Sequence, residues 1–172
     1  EDSALVCINK PAGLLSQPDA SGVASAGALA QRWLSRSGGA GTALPVHRLD
    51  RRATGCMLLA RSKRAASRLS AAFAAMEVTK HYLAVTCRGS AAGADIEVGE
   101  VRRLLDDAPS SETRRPFVGG GRGARLLEWH ALAIDQGSAL LAVSPLGGSK
   151  HQIRRTLARA GLPLAGDISY GG

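Results

Sequence analysis

Between Val46 and Gly55 the chain reads VHRLDRRATG, a single carboxylate, Asp50, set among His47, Arg48, Arg51 and Arg52. Cations on both sides keep a carboxylate ionised. An ionised, positioned carboxylate can attack an electrophilic carbon or accept a proton. The bland alternative is a solvated basic loop, since most such aspartates form surface ion pairs of little energetic weight. Other candidate chemistry is weaker. GGGRG at 119–123 lacks the Gly-Lys-Ser/Thr ending of a phosphate loop and is expected to be a hairpin turn. GGSK at 147–150 does lead into a helix, so Lys150 and the following amides could meet an anion such as an RNA phosphate, although the spacing is wrong for a nucleotide loop and a plain helix cap explains the residues equally well. No Gly-x-Ser-x-Gly elbow supports a serine hydrolase. The His-x-Glu with Cys-x-x-Cys of a zinc deaminase is also absent.

The elements that would position Asp50 follow from periodicity. ALVCINK at 4–10 is expected to be a strand halted by the Pro11-Ala12-Gly13 turn. Residues 24–39 form a helix with Leu29, Trp33 and Leu34 on one side, closed by Gly38 and Gly39. LPVHRLD is extended, and CMLLA at 56–60 is an apolar strand. Residues 62–76 form a helix with Ser62 as N-cap and Leu69, Phe73 and Met76 along one face. KHYLAVTCRG at 80–89 alternates as a strand does. After a polar span at 91–111 and TRRPFV, residues 124–135 and 138–146 make a hairpin across Gln136-Gly137. Residues 149–161 form a last helix, with Ser149 and Gln152 as a capping box and Gly161 at its end. Strands mixed with three helices, without βαβ alternation, give an α+β fold on a largely antiparallel sheet.

With 172 residues and 45% apolar content the chain can bury one real core. Lys and Arg outnumber Asp and Glu by 22 to 14, a net charge of +8, and nearly all the cations are arginine. Arginine's fork suits phosphate, so nucleic acid is the expected partner, although high Ala, Gly and Arg also follow from a GC-rich genome. No apolar run suggests a membrane. Cys7, Cys56 and Cys87 are odd in number and far apart. Disulfide scaffolding and thiolate zinc sites are not expected, a reducing compartment fits, and Cys56 and Cys87 read as small core residues.

Four ordered blocks then carry a resemblance. VHRLDRRATGCMLLA is similar to the signature of the RluA-type pseudouridine synthases, His-Arg-Leu-Asp, two variable residues, Thr-Ser-Gly and an apolar strand. INKPAGLLSQP resembles the opening strand and turn of that family, and KHYLAV its Lys-x-Tyr strand. GGSKHQIRRTLARAGLPLAGDISYG resembles its Gly-Arg-x-His-Gln-Ile-Arg helix and trailing Gly-Asp-x-x-Tyr-Gly.

The resemblance implies a pseudouridine synthase fold, an α+β domain with a largely antiparallel mixed sheet, flanking helices and a central cleft. It implies one catalytic domain over residues 1–172, ending before the family's C-terminal strands and carrying no S4 module. Asp50 matches the catalytic aspartate, acting at the ribose of a target uridine while the N-glycosidic bond breaks. Tyr82 matches the tyrosine that stacks on the uracil, Ile153 the apolar wall beside it, and Arg154 the basic partner of the aspartate. Arg48 matches an arginine that fills the gap left by a flipped uridine, and Arg51 and Lys150 are further candidates for RNA contact. The implied partner is structured RNA, ribosomal in particular, with no metal, cofactor or membrane. The implied compartment is the cytoplasm in a bacterium, or the mitochondrial or another organellar matrix in a eukaryote. His47 and His151 read as structural hydrogen bonders, and Asp167 as the organiser of a turn. The departures are Ala53-Thr54-Gly55 for Thr-Ser-Gly, Arg52 where an acid is common, and Ser149 for arginine. They leave two alternatives open: an inactive protein of the same fold that binds ribosomal RNA during ribosome assembly, and a generic basic protein of the ribosome in which the motifs serve only as scaffold.

Overall fold

The computed structural model describes residues 2–37, 41–87, 96–99, 101–105 and 126–172. The expected turns at 38–39 and 119–123, the TRRPFV segment and most of the polar span at 91–111 lie outside them. The chain divides into two compact units, Glu1–Glu77 and Val78–Gly172.

The first unit holds β1 (Leu5–Lys10), α1 (Ala26–Arg36), β2 (Leu44–Pro45), β3 (Gly55–Ala60) and α2 (Lys63–Ala74). β3 lies between β1 and β2, antiparallel to both. One face of the sheet buries Val6, Met57 and Leu59, the inward half of a period-2 pattern. Ser25 and Ser62 cap α1 and α2, accepting from the amides of Ala28 (3.3 Å) and Ala65 (3.1 Å). Two expectations about helix faces need correction. α1 packs through Ala26, Gly27, Ala30 and Leu34, whereas Leu29 and Trp33 are largely exposed. The cause is close approach: a Cβ on Gly27 would stand 2.9 Å from Pro45 Cγ, so small residues must face inward. Met76 lies beyond α2 rather than on it. It takes a left-handed conformation (φ 60°) just after the helix and is exposed.

The second unit holds β4 (Tyr82–Cys87), β5 (Val101–Leu105), β6 (Leu126–Asp135), β7 (Ser138–Pro145) and α3 (Gln152–Arg159). Its sheet runs β4-β7-β6-β5, every neighbour antiparallel. The β6–β7 hairpin turns at Gln136-Gly137 as expected, and one bulge near Leu132 shifts its register. Leu127, Trp129, Leu141, Val143, Leu157 and Leu162 form the core, each contributing about 1.5–3 kcal/mol by burial. α3 starts later than the sequence suggests. Its N-cap is His151, in a left-handed conformation and without a side-chain cap, so the Ser149–Gln152 capping box does not form. Ser149 Oγ instead accepts from Arg155 Nη2 at 3.2 Å. At the other end Gly161 (φ 77°) closes the helix in a Schellman motif: Leu162 N donates to Leu157 O (2.9 Å) and Gly161 N to Ala158 O (3.0 Å).

The α+β class and the antiparallel pairing match the sequence reading, as do the three helices among the described residues. Cys56 does not. It lies on the exposed face of β3, as Cys7 does on β1, while Cys87 is half-buried.

Candidate active site

Asp50 sits half-buried on the loop between β2 and β3, and the segment after β1 braces it from both sides. Ser16 is buried and grips the residue before Asp50: its Oγ accepts from Leu49 N (3.0 Å) and donates to Leu49 O (2.7 Å). The residue after Asp50 is held by Gly13, whose N donates to Arg51 O (2.8 Å). Arg51 returns the contact, its Nε donating to Gly13 O at 2.9 Å. A turn closes the loop, Ala53 N donating to Asp50 O at 3.0 Å. Gly13 supports this with φ of 83°, which a side chain would disfavour.

Beneath the turn lies Lys10, a fully buried cation at the end of β1. Its Nζ donates to Pro11 O (2.9 Å), Leu14 O (2.8 Å) and Arg51 O (3.3 Å), so three donors meet three acceptors. Burial pushes Lys10 below the usual lysine range, and the Asp50 carboxylate opposes that shift. The charge of Lys10 therefore acts on Asp50 from the protein side. Arg48, Arg51 and Arg52 are exposed on the solvent side. His47 is structural, as expected: its Nε2 accepts from Leu58 N (2.8 Å) and its ring stacks on Phe73 at 4.7 Å.

The remaining expected residues belong to the second unit. Tyr82 opens β4, opposite Val143, and is half-buried against the same core cluster as Ile153 on α3. Arg154 makes a two-pronged contact with the buried carboxylate of Asp167, Nε to Oδ2 at 2.6 Å and Nη2 to Oδ1 at 2.7 Å. That pairing holds Asp167 below the ordinary carboxylate range. The Arg154 guanidinium also lies 4.9 Å from the ring centre of Tyr170, whose hydroxyl is 3.2 Å from His151 Nδ1. Lys150 is exposed. Its carbonyl accepts from buried Arg155 at 2.9 Å, and half-buried Lys80 donates to Gly147 O, so the GGSK turn is fixed by two cations.

Asp50, Arg48 and Arg51 thus share one braced loop, while Tyr82 lies on β4, Ile153 and Arg154 on α3, and Lys150 in the turn before α3. The resemblance paired Arg154 with the catalytic aspartate; within its own unit Arg154 grips Asp167. Sequence reasoning missed Lys10, Ser16, Arg155 and Tyr170 as positioning groups. The signal for Lys10 was a lysine ending an apolar strand just before a turn. Nothing in one sequence marks such a lysine as buried. Among the described residues no group of three or more His, Cys, Asp or Glu side chains could hold a metal ion.

These features define a basic α+β protein that presents one braced carboxylate beside exposed arginines. Residues 4–159 match the family model described as RNA pseudouridylate synthase, and the chain belongs to that family. It is 33% identical over 99% of its length to "Ribosomal large subunit pseudouridine synthase C" of Rickettsia felis, of which it spans 54%. It is 30% identical to "Dual-specificity RNA pseudouridine synthase RluA" of Haemophilus influenzae, with 99% of this chain and 74% of that protein aligned. Among solved structures, "Human RNA Pseudouridylate Synthase Domain Containing 4" superposes with a TM-score of 0.74 at 26% identity, over 99% of this chain and 67% of that one.

Proposed function

We propose that this chain isomerises uridine to pseudouridine in structured RNA, ribosomal RNA being the class that the names of its relatives indicate. The observation that carries the reading is the bracing of Asp50: both neighbours in sequence are tied to the 10–16 segment, and the buried Lys10 lies beneath the same turn. Asp50 acts at the ribose, attacking C1′ or taking the 2′ proton, as the N1–C1′ bond breaks. The uracil turns and rejoins through C5, the C5 proton is lost and N1 gains one. Atoms balance without an added reactant. Tyr82 supplies a ring for the base, Ile153 an apolar wall, and Arg154 a fixed positive charge. The target must leave the stack to be reached, which costs a few kcal/mol. Arg48 fills the gap, and Arg51 and Lys150 offset part of the cost through phosphate contacts. The bacterial relatives lend the organellar compartment no support, and we place the reaction in bacterial cytoplasm. Among the described residues no helix is long and apolar enough to cross a membrane.

Pseudouridine mapping of cellular RNA with and without this protein tests the reading. One or more sites should disappear with the protein and return with the wild-type chain. Asp50→Asn should fold and bind RNA yet restore none, with turnover on a purified transcript down by about 10³-fold or more. An unchanged map would leave an RNA-binding assembly factor instead.

A further inference from the structure

Cys7 and Cys56 lie 49 residues apart in the chain, yet their Sγ atoms are 3.1 Å apart. The register of β1 and β3 explains this. Cys7 pairs with Leu58 and Asn9 with Cys56, so the two cysteines occupy a diagonal on the exposed face of the sheet. Six consecutive backbone pairs fix that placement. Closure to a disulfide bond length of about 2 Å needs roughly 1 Å of movement, within reach of side-chain rotation. A bridging soft metal fits less well. With metal–sulfur bonds of about 2.3 Å, a shared tetrahedral or linear ion would hold the sulfurs roughly 3.8–4.6 Å apart. No further ligand set completes such a site among the described residues.

We propose that Cys7 and Cys56 are a redox modification site, a dithiol that closes reversibly to an intramolecular disulfide by exchange with a low-molecular-weight disulfide. The Cys7 thiolate attacks one sulfur of the reagent, whose S–S bond breaks and releases one small thiolate. Cys56 then loses its proton, attacks the Cys7 sulfur of the mixed disulfide and expels the second. Two electrons pass to the reagent, and the two protons end on the released thiols. Cys56 is the resolving member, because its hydrogen bond to Cys7 holds that thiol protonated above the ordinary range. The bridge would join β1 to β3 three residues from Lys10 and next to Gly55, where the Asp50 loop rejoins the sheet. Cross-linking residues 7 and 56 also restricts the unfolded chain, so the oxidised form should melt higher.

The test treats the full chain with oxidised glutathione, followed by intact mass, alkylation and peptide mapping. The expected product has lost two hydrogens, carries a Cys7–Cys56 linked peptide with Cys87 still alkylated, melts at a higher temperature and reverts with dithiothreitol. Cys56→Ser should stop at a glutathione adduct on Cys7, with an unchanged circular dichroism spectrum confirming its fold. Stable adducts on both cysteines, bridges through Cys87 or between chains, or three thiols left free where dithiothreitol is oxidised would each overturn the proposal. None of these readouts depends on the RNA chemistry.

Discussion

Lys10 carries both the charge beneath Asp50 and the hydrogen bonds that shape its loop. Replacing it with methionine keeps the length of the side chain and removes the Lys10 donor from the carbonyls of Pro11 and Leu14, while Arg51 O keeps the amide of Gly13. Unpaired buried groups cost about 1–3 kcal/mol each when water cannot reach them. Lys10→Met should therefore lower stability by about 2–4 kcal/mol, read from the denaturant midpoint at constant m. It should also reduce turnover more than RNA affinity. Asp167 makes a second, pH-resolved case. Its folded pKa lies below its ordinary 3.8 because Arg154 holds the ionised form. The stability from that pair is full above the unfolded pKa and is lost as pH falls through the lower folded value, since the unfolded chain takes up the proton first. Asp167→Asn should cost about 1.5–3 kcal/mol at neutral pH, with Arg154 a fifth exposed and so only partly stranded. Below about pH 4 the stabilities of the variant and wild type should converge in urea melts. Asp50 could be singled out from sequence as the candidate because four ordered blocks surround it. Lys10 could not, because burial of a cation is a property of three carbonyls that only the folded loop brings together.

The ends of the helices separate what local chemistry specifies from what packing decides. Ser62 was legible as a cap because a serine before a basic, apolar-periodic run satisfies orphan amides locally. Gly161 was legible for the same reason at the other end of a helix. The β6–β7 hairpin followed from two strand-like apolar runs meeting at Gln136-Gly137. Ser149 misled, since its hydroxyl is drawn to Arg155 and α3 begins at a left-handed His151. Leu29 and Trp33 misled because periodicity finds an apolar stripe but cannot tell that Gly27 must sit against Pro45. Cys56 misled because its apolar neighbours in sequence alternate to the opposite face of β3. Met76 is the most testable of these. α2 ends in a Schellman motif, Glu77 N to Ala72 O at 3.0 Å and Met76 N to Phe73 O at 3.2 Å, with methionine at the position that glycine favours. A left-handed L-residue costs about 1–2 kcal/mol, and glycine's extra unfolded freedom cancels part of the gain. Because Met76 is half exposed it gives up little packing. Met76→Gly should raise stability by about 0.5–1 kcal/mol in thermal or urea unfolding.

At the scale of the whole chain the decisive quantity is the net charge of +8, carried almost entirely by arginine. Binding to RNA through about five phosphates gives a log–log salt slope near −4, so affinity should fall by about 10²-fold between 50 and 200 mM salt. Arginines that only touch phosphate and an arginine that replaces a flipped base differ in how they respond to the substrate. A phosphate contact is lost equally on any RNA, and its removal reduces the salt slope by about one. A gap-filling side chain matters only where a base has been withdrawn from a stacked helix, where it offsets an unstacking cost of a few kcal/mol. Arg48 is exposed and next to the residue that Ser16 clamps, so its backbone is fixed while its side chain faces solvent. Arg51 is tied by Nε to Gly13 and makes a useful contrast, because removing it should loosen the loop on every substrate. Arg48→Ala should therefore reduce turnover on a folded RNA hairpin about tenfold more than on a flexible single strand, with the salt slope unchanged. Arg51→Ala should reduce both by similar factors. Single-turnover rates on the two RNAs, measured at two salt concentrations, separate the roles. Equal losses for Arg48→Ala on both RNAs, with a shallower slope, would make Arg48 another phosphate contact.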